Sequence, residues 1–220
     1  MIFYCKRVEK RNLISYGLQK DSSSYRLLVG GFLVGLSTMV LLILIHLLIH
    51  DSSIKSKEFS NKFYIDIVLQ LFVVFTISTV EEWFFRGFLF ESLREDYSNI
   101  TTVYISSFIF ASTHFIRPFS DWLLLVPEFL GLFLIGIILA LSRVYSGSLY
   151  FSIGIHAGWV YVVKLDKHFV NHFNAHFEKV FGGEKLLSSL SAWILIFIVL
   201  FSLKYLIALF KPQANDKLKT

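Results

Sequence analysis

The sequence is poor in cysteine, proline and charge. Its only cysteine is Cys5, which excludes an internal disulfide and any metal or iron–sulfur site built on several cysteines. With three prolines and a majority of apolar residues, the chain is neither collagen-like nor intrinsically disordered. Charged residues make up 17% of the chain, whereas a soluble domain has about 25%. The composition therefore argues against an ordinary soluble protein.

The sequence is rich in apolar residues. They make up 55% of the 220 residues and include 24 phenylalanines. Most of them fall in six runs, and an α-helix needs about 20 such residues to cross the hydrocarbon core of a membrane. We predict an all-α fold, a polytopic transmembrane helical bundle of about six spans. The runs cover residues 27–49, 63–93, 101–115, 122–145, 148–163 and 190–210.

The net charge of +5 comes from basic residues in the tails and loops between these runs. This distribution is typical of a membrane protein rather than of a nucleic-acid-binding protein, because basic flanks stay on the cytoplasmic side. We expect a basic cytoplasmic tail over 1–26, a single transmembrane domain over 27–210 and a polar tail over 211–220, also cytoplasmic. The polar start and the long first run also argue against a signal peptide.

Two glutamates and an arginine interrupt the second run, in the segment Glu81-Glu82-Trp83-Phe84-Phe85-Arg86-Gly87. Ionisable residues inside a bilayer are costly and usually functional. Glu82 and Arg86 are four residues apart, so they are predicted to pair on one helix face. Glu81 points about 100° away from that face, which makes it a candidate general base or acid. The alternative is a buried ion-pair cluster that only fixes helix packing.

Two histidines lie in other apolar runs. His114 is near the end of the third run, and His156 is in the fifth run. Each histidine alone is more typical of packing. Together with Glu81, however, three spans could bring proton-handling side chains to a similar depth, which is a minimal set for activating water.

Two further patterns concern packing. Glycines spaced four apart predict close helix contacts in the first and fifth runs: Gly31 and Gly35, Gly154 and Gly158. His168, His172 and His176 recur every four residues beside phenylalanines. We interpret this pattern as an amphipathic helix at the membrane interface and keep a histidine metal site as the less favoured alternative.

The motifs Glu81-Glu82-x-x-x-Arg86, Phe110-x-x-x-His114 and the later His156 resemble the CPBP family (CAAX prenyl protease / bacteriocin-processing, also called Abi). The resemblance covers about 63–163, the predicted catalytic core. It implies a glutamic-type, type II CAAX-like intramembrane endopeptidase in the bacterial inner (plasma) membrane. By this resemblance Glu81 and His114 activate water, His156 stabilises the oxyanion, and Glu82 and Arg86 hold the site.

The resemblance leaves the cofactor and one donor open. We expect no cofactor and no metal; a zinc ion on Glu81, His114 and His156 is the less favoured alternative. Members often have Asn or Asp four residues after the last histidine, where this chain has Val160. The second hydrogen-bond donor to the oxyanion is therefore not evident.

Three functions remain open at this point. The preferred one is hydrolysis of a peptide bond in a membrane-embedded or membrane-tethered substrate, with no role for nucleic acid. The alternatives are a non-catalytic membrane immunity or partner protein on the same scaffold, and a transporter or proton channel that uses Glu81, His114 and His156 as a relay. Whether a substrate carries a lipid does not follow from the sequence.

Overall fold

The computed structural model describes residues 12–48, 52–55, 61–116, 122–172 and 190–211. Over these ranges the chain is almost entirely helical. In chain order the helices are α1 (Ser24–Leu48), α2 (Asn61–Glu82), α3 (Phe90–Arg94), α4 (Asn99–Thr113), α5 (Trp122–Ser146), α6 (Tyr150–Phe169) and α7 (Leu190–Phe210). A π-helix over Trp83–Leu89, here called the π segment, joins α2 to α3.

The predicted all-α bundle is confirmed, and every predicted run corresponds to a helix. Four helical stretches among the described residues are long and apolar enough to cross a membrane: Ser24–Leu48, Phe63–Arg94, Leu125–Ser146 and Leu190–Phe210. The other two runs form α4, with 15 residues, and α6, with 20 residues. Much of α6 is buried inside the bundle. Such a helix can carry polar residues without exposing them to lipid.

The predicted glycine pairs form the contact between α1 and α6. Gly31 and Gly35 on α1 face backbone atoms of α6, and Gly154 and Gly158 on α6 face backbone atoms of α1. A Cβ atom at Gly158 would lie 2.5 Å from a carbonyl oxygen of α1. Because only hydrogen fits at these positions, the two backbones approach closely. This contact holds α6, and with it His156, in the centre of the bundle.

Part of the predicted N-terminal tail packs on the bundle. Residues Leu13–Tyr16 form a 3-10 helix that starts at the Asn12 cap and ends at Gly17, whose φ is +107°. A glycine adopts this left-handed conformation without strain. The side chain of Tyr16 is only 1% exposed. Residues 1–11 of the predicted tail lie outside the described residues.

The chain enters α1 through a turn at Asp21. A carboxylate oxygen of Asp21 accepts hydrogen bonds from the Ser23 hydroxyl (2.7 Å) and the Ser23 amide (2.8 Å). These bonds stabilise the charged carboxylate and lower the pKa of Asp21 below its usual value. The turn sets the direction in which the N-terminal segment leaves the helix.

The helix predicted around the three histidines is right at His168, which lies in α6, and wrong at His172. The last helical residue of α6 is Phe169, and Val170–His172 form strand β2. Strand β2 pairs antiparallel with β1 (Ser52–Ile54), so the ends of α1 and α6 are tied together. Backbone pairing replaces helical hydrogen bonds here. His176 lies outside the described residues.

Candidate active site

The Glu81–Arg86 motif lies where the helix changes type. The α-helix ends at Glu82, and the π segment begins at Trp83. Single π-helical turns are rare and occur frequently at functional sites. Across this junction Nη1 of Arg86 donates to Oε1 of Glu82 at 3.0 Å, and both side chains are fully buried. The predicted ion pair is therefore confirmed.

The buried guanidinium of Arg86 has two further partners. Its Nη2 donates to the carbonyl oxygen of Gly136 on α5 at 3.3 Å. Its central carbon lies 4.2 Å from the centroid of the Phe110 ring on α4, which is a cation–π distance. Arg86 thus links the π segment to α4 and α5. The Gly136 carbonyl was not predicted, because no local pattern distinguishes it from any other buried carbonyl.

Glu82 also holds His156. Its Oε1 lies 2.9 Å from Nδ1 of His156, a hydrogen bond between residues 74 positions apart. An ionised carboxylate only accepts hydrogen bonds, so Nδ1 carries the proton. The other ring nitrogen, Nε2, lies 3.8 Å from Oε2 of Glu81. Glu82 therefore orients the histidine between the two carboxylates.

Glu81 differs from Glu82 in its surroundings. Its side chain is 32% exposed, whereas that of Glu82 is fully buried. The Oε2 atom of Glu81 is nevertheless enclosed, and it has no hydrogen-bond partner within the part of the chain that the structure describes. A buried polar atom of this kind calls for an explanation, and chemical use is one. The predicted division into a paired and an unpaired glutamate agrees with this geometry.

His114 lies apart from this cluster. It is the C-terminal cap of α4, it is exposed, and its Nδ1 lies 2.9 Å from the carbonyl oxygen of Phe110. The Phe110 ring contacts both histidines, with centroids 4.7 Å from His114 and 6.1 Å from His156. Among the described residues, His114 makes no hydrogen bond or ion pair with Glu81 or His156. The structure thus brings Glu81, Glu82, Arg86 and His156 together and connects His114 through Phe110.

Two open questions from the sequence concern metal ligands and Val160. Within the described ranges, no group of three or more His, Cys, Asp or Glu side chains is arranged to hold a metal ion. Val160 packs in an apolar cluster with Val74 and Tyr161. A valine cannot donate a hydrogen bond, so this position supplies no second donor to an oxyanion.

A model of a known protein family matches part of the chain. Residues 63–162, just under half of the chain, match the family model described as "Type II CAAX prenyl endopeptidase Rce1-like". This region is similar to the CAAX-protease (CPBP) family, and residues 63–162 are here called the CAAX-protease region. The CAAX-protease region contains all three motifs and runs from α2 into α6, while α1 and α7 lie outside it. The comparisons with curated proteins and with solved structures find no significant match.

Family and fold together establish the general character of the protein. The four apolar stretches and the CAAX-protease region make it an integral membrane protein, surrounded by a lipid bilayer. The general class of activity that the matched family supports is that of a CAAX-type endopeptidase. The charged cluster lies inside this region, on the candidate span Phe63–Arg94 and on α6.

Proposed function

We propose that the protein is an intramembrane endopeptidase that hydrolyses a peptide bond of a membrane-embedded or membrane-tethered substrate. One observation carries the proposal. The carboxylate of Glu81, which the Arg86 ion pair does not use, lies 3.8 Å from Nε2 of His156 within a buried charged cluster. An available base beside an oriented histidine is the minimum that activation of water requires.

In this mechanism Glu81 takes a proton from the attacking water while the oxygen bonds to the carbonyl carbon of the substrate. His114 orients the water. Its Nδ1 donates to the Phe110 carbonyl, which only accepts hydrogen bonds, so in the neutral ring Nε2 is free to accept one. His114 is also exposed, and a substrate can therefore reach it. The proton then passes to the departing amine when the C–N bond breaks.

His156 is assigned the role of stabilising the oxyanion. Its Nδ1 proton is used in the bond to Glu82, so Nε2 can donate only when the ring carries a second proton. The carboxylates of Glu81 and Glu82 lie on either side of the ring and are the counter-charges for such an imidazolium. Preorganised donors of this kind contribute about 10²–10³ in rate in other enzymes. Glu82 and Arg86 hold this arrangement.

We propose that the reaction needs no metal ion. The Arg86 guanidinium, paired to Glu82 at 3.0 Å, lies in the same buried cluster. Like charges repel strongly in a medium of low dielectric constant, which disfavours a divalent cation there. Zinc held by Glu81, His114 and His156 is the alternative.

A non-catalytic membrane immunity or partner protein on the same scaffold is the second candidate function. The observation that favours it is Val160, which packs in an apolar cluster and has no side-chain hydrogen-bond donor to offer beside His156. This candidate predicts that binding of a partner protein survives substitution of Glu81.

The test compares purified wild-type and variant protein in liposomes, presented with a library of membrane-tethered peptides. Glu81→Gln and His114→Ala should each lower cleavage by at least about 10²-fold, with an unchanged melting temperature. Asp66→Asn, an acid on the same helix outside the cluster, is the matched control and should cleave like wild type. Wild-type turnover by Glu81→Gln would exclude the glutamic mechanism. Absence of cleavage by the wild-type protein, with retained partner binding, would favour the second candidate.

A further inference from the structure

The N-terminal segment Asn12–Ser23, here called the clasp, packs against the π segment. The ring of Tyr16 meets Trp83 edge-to-face with centroids 6.0 Å apart and meets Phe88 at the same distance. Both rings belong to the π segment. Gly87 permits this approach, because a Cβ atom there would lie 3.0 Å from the Tyr16 carbonyl oxygen. The clasp therefore contacts the helix turn that carries Arg86.

The clasp is also bonded to the start of α6. The carbonyl oxygen of Gly17 accepts a hydrogen bond from the amide of Leu149 at 2.9 Å. The carbonyl oxygen of Leu18 accepts one from the hydroxyl of Tyr150 at 3.0 Å. Leu149 precedes α6, and Tyr150 is its first residue. The clasp thus connects the π segment to the helix that carries His156.

The hydrogen bond from His156 to Glu82 joins α6 to the residue that precedes the π segment, so it and the clasp both connect α6 to this part of the chain. Hydrogen bonds between nitrogen and oxygen are about 2.7–3.2 Å long and weaken steeply when the donor and acceptor are misaligned, and this one is 2.9 Å long. A shift of α6 relative to the π segment by a fraction of an ångström would therefore change the orientation of His156. Misplacement by about 1 Å can reduce an enzymatic rate by about 10²-fold.

We propose that the clasp sets the spacing between the π segment and α6, with Tyr16 as a positioning residue for the candidate active site. The contacts of Tyr16 among the described residues are with Trp83 and Phe88 rather than with the Glu81–His156 cluster, so its effect is transmitted through these rings and the start of α6. This inference rests on the proposed function for its effect on turnover. Its structural part is independent of that function.

The first measurement is hydrogen–deuterium exchange of the full-length protein in lipid nanodiscs. Tyr16→Ala should speed exchange on the order of tenfold in residues 83–89 and at the Leu149 amide, as well as in the clasp. Tyr16→Phe keeps the ring contacts with Trp83 and Phe88, so its exchange in residues 83–89 should stay well below that of Tyr16→Ala. Tyr25→Ala is the matched control, because Tyr25 is 75% exposed, and it should change neither region.

The second measurement is steady-state cleavage. Tyr16→Ala should lower kcat about tenfold and leave KM unchanged, since the loss concerns orientation at the reacting atoms rather than substrate binding. Tyr16→Phe should restore kcat. If Tyr16→Ala does not fold, Tyr150→Phe decides instead, because it removes only the hydrogen bond to Leu18.

Faster exchange confined to the clasp, with residues 83–89 and kcat as in wild type, would overturn the inference. If Tyr16→Ala does not fold, Tyr150→Phe takes its place. The inference is then overturned if Tyr150→Phe changes neither the exchange in residues 83–89 nor kcat. If the wild-type protein cleaves nothing, the proposed function fails, and the exchange measurement alone still decides whether the clasp positions the π segment.

Discussion

Substitution of Arg86 by alanine tests the electrostatics of the cluster most directly. Arg86 is fully buried, donates to Glu82 at 3.0 Å and donates to the Gly136 carbonyl at 3.3 Å. Its removal takes away the guanidinium that pairs with the buried carboxylate of Glu82, which keeps the hydrogen bond from His156. Breaking a buried ion pair from one side costs about 3–5 kcal/mol. We expect Arg86→Ala to lose this amount of stability together with activity.

The loss can be measured as a melting temperature against a matched control. In a chain of this size, 1 kcal/mol corresponds to about 2–4 °C, so Arg86→Ala should melt about 6–20 °C lower. Arg94→Ala is the control. Arg94 pairs with Glu91 at 3.4 Å and its side chain is 43% exposed, and an exposed pair contributes at most about 1 kcal/mol. Thermal unfolding in detergent, followed by circular dichroism, separates these expectations.

A double variant sharpens the argument. Glu82→Gln combined with Arg86→Met removes both charges and keeps an amide oxygen for His156. Neutral replacement of a whole buried pair is often tolerated, so the double variant should regain most of the lost stability. The reasoning is refuted if Arg86→Ala and Arg94→Ala have the same melting temperature. It is also refuted if the double variant loses as much stability as the single variants Glu82→Gln and Arg86→Met lose in sum.

Three further predictions follow from the site, the helix packing and the charge pattern. Exhaustive treatment with a metal chelator should leave cleavage intact and elemental analysis should find no stoichiometric metal; loss of activity that zinc alone restores would establish a metalloprotease. Gly35→Val should reduce the yield of folded protein, because the valine side chain would overlap the α6 backbone at Ile155. Leu33→Val is the control, at a position 52% exposed, and should not reduce the yield. Equal yields would show that α1 and α6 are not in close contact. Reporter fusions at residues 1 and 220 should both report the cytoplasmic side, and opposite sides would show that the number of membrane crossings is odd.

The positions of the helices followed largely from the sequence. The apolar run 27–49 became Ser24–Leu48, and the run 190–210 became Leu190–Phe210. Such runs are readable because a membrane span must be both long and apolar, and it satisfies its own backbone hydrogen bonds. The Glu82–Arg86 pair was also predictable, since residues four apart share a helix face whatever lies around them.

The sequence was misleading or silent where a neighbouring element decides the conformation. Four-residue spacing predicted a helix through His172, but pairing with β1 makes Val170–His172 a strand. The burial of Tyr16 within a segment that reads as a polar tail gave no local signal. Both outcomes depend on which element packs against the segment, and the periodicity of the sequence does not identify that element.

Of the candidate site, the sequence by itself predicted the candidate side chains and the local ion pair. The tertiary structure alone decided that Glu82 bonds to His156 across 74 positions, that Arg86 lies over the Phe110 ring, and that His114 remains outside the cluster. Local spacing determines which side chains share a helix face, because helical geometry repeats every 3.6 residues. Which helices become neighbours depends on packing over the whole bundle, here through the glycine contact between α1 and α6, and that packing turns four separate residues into one site.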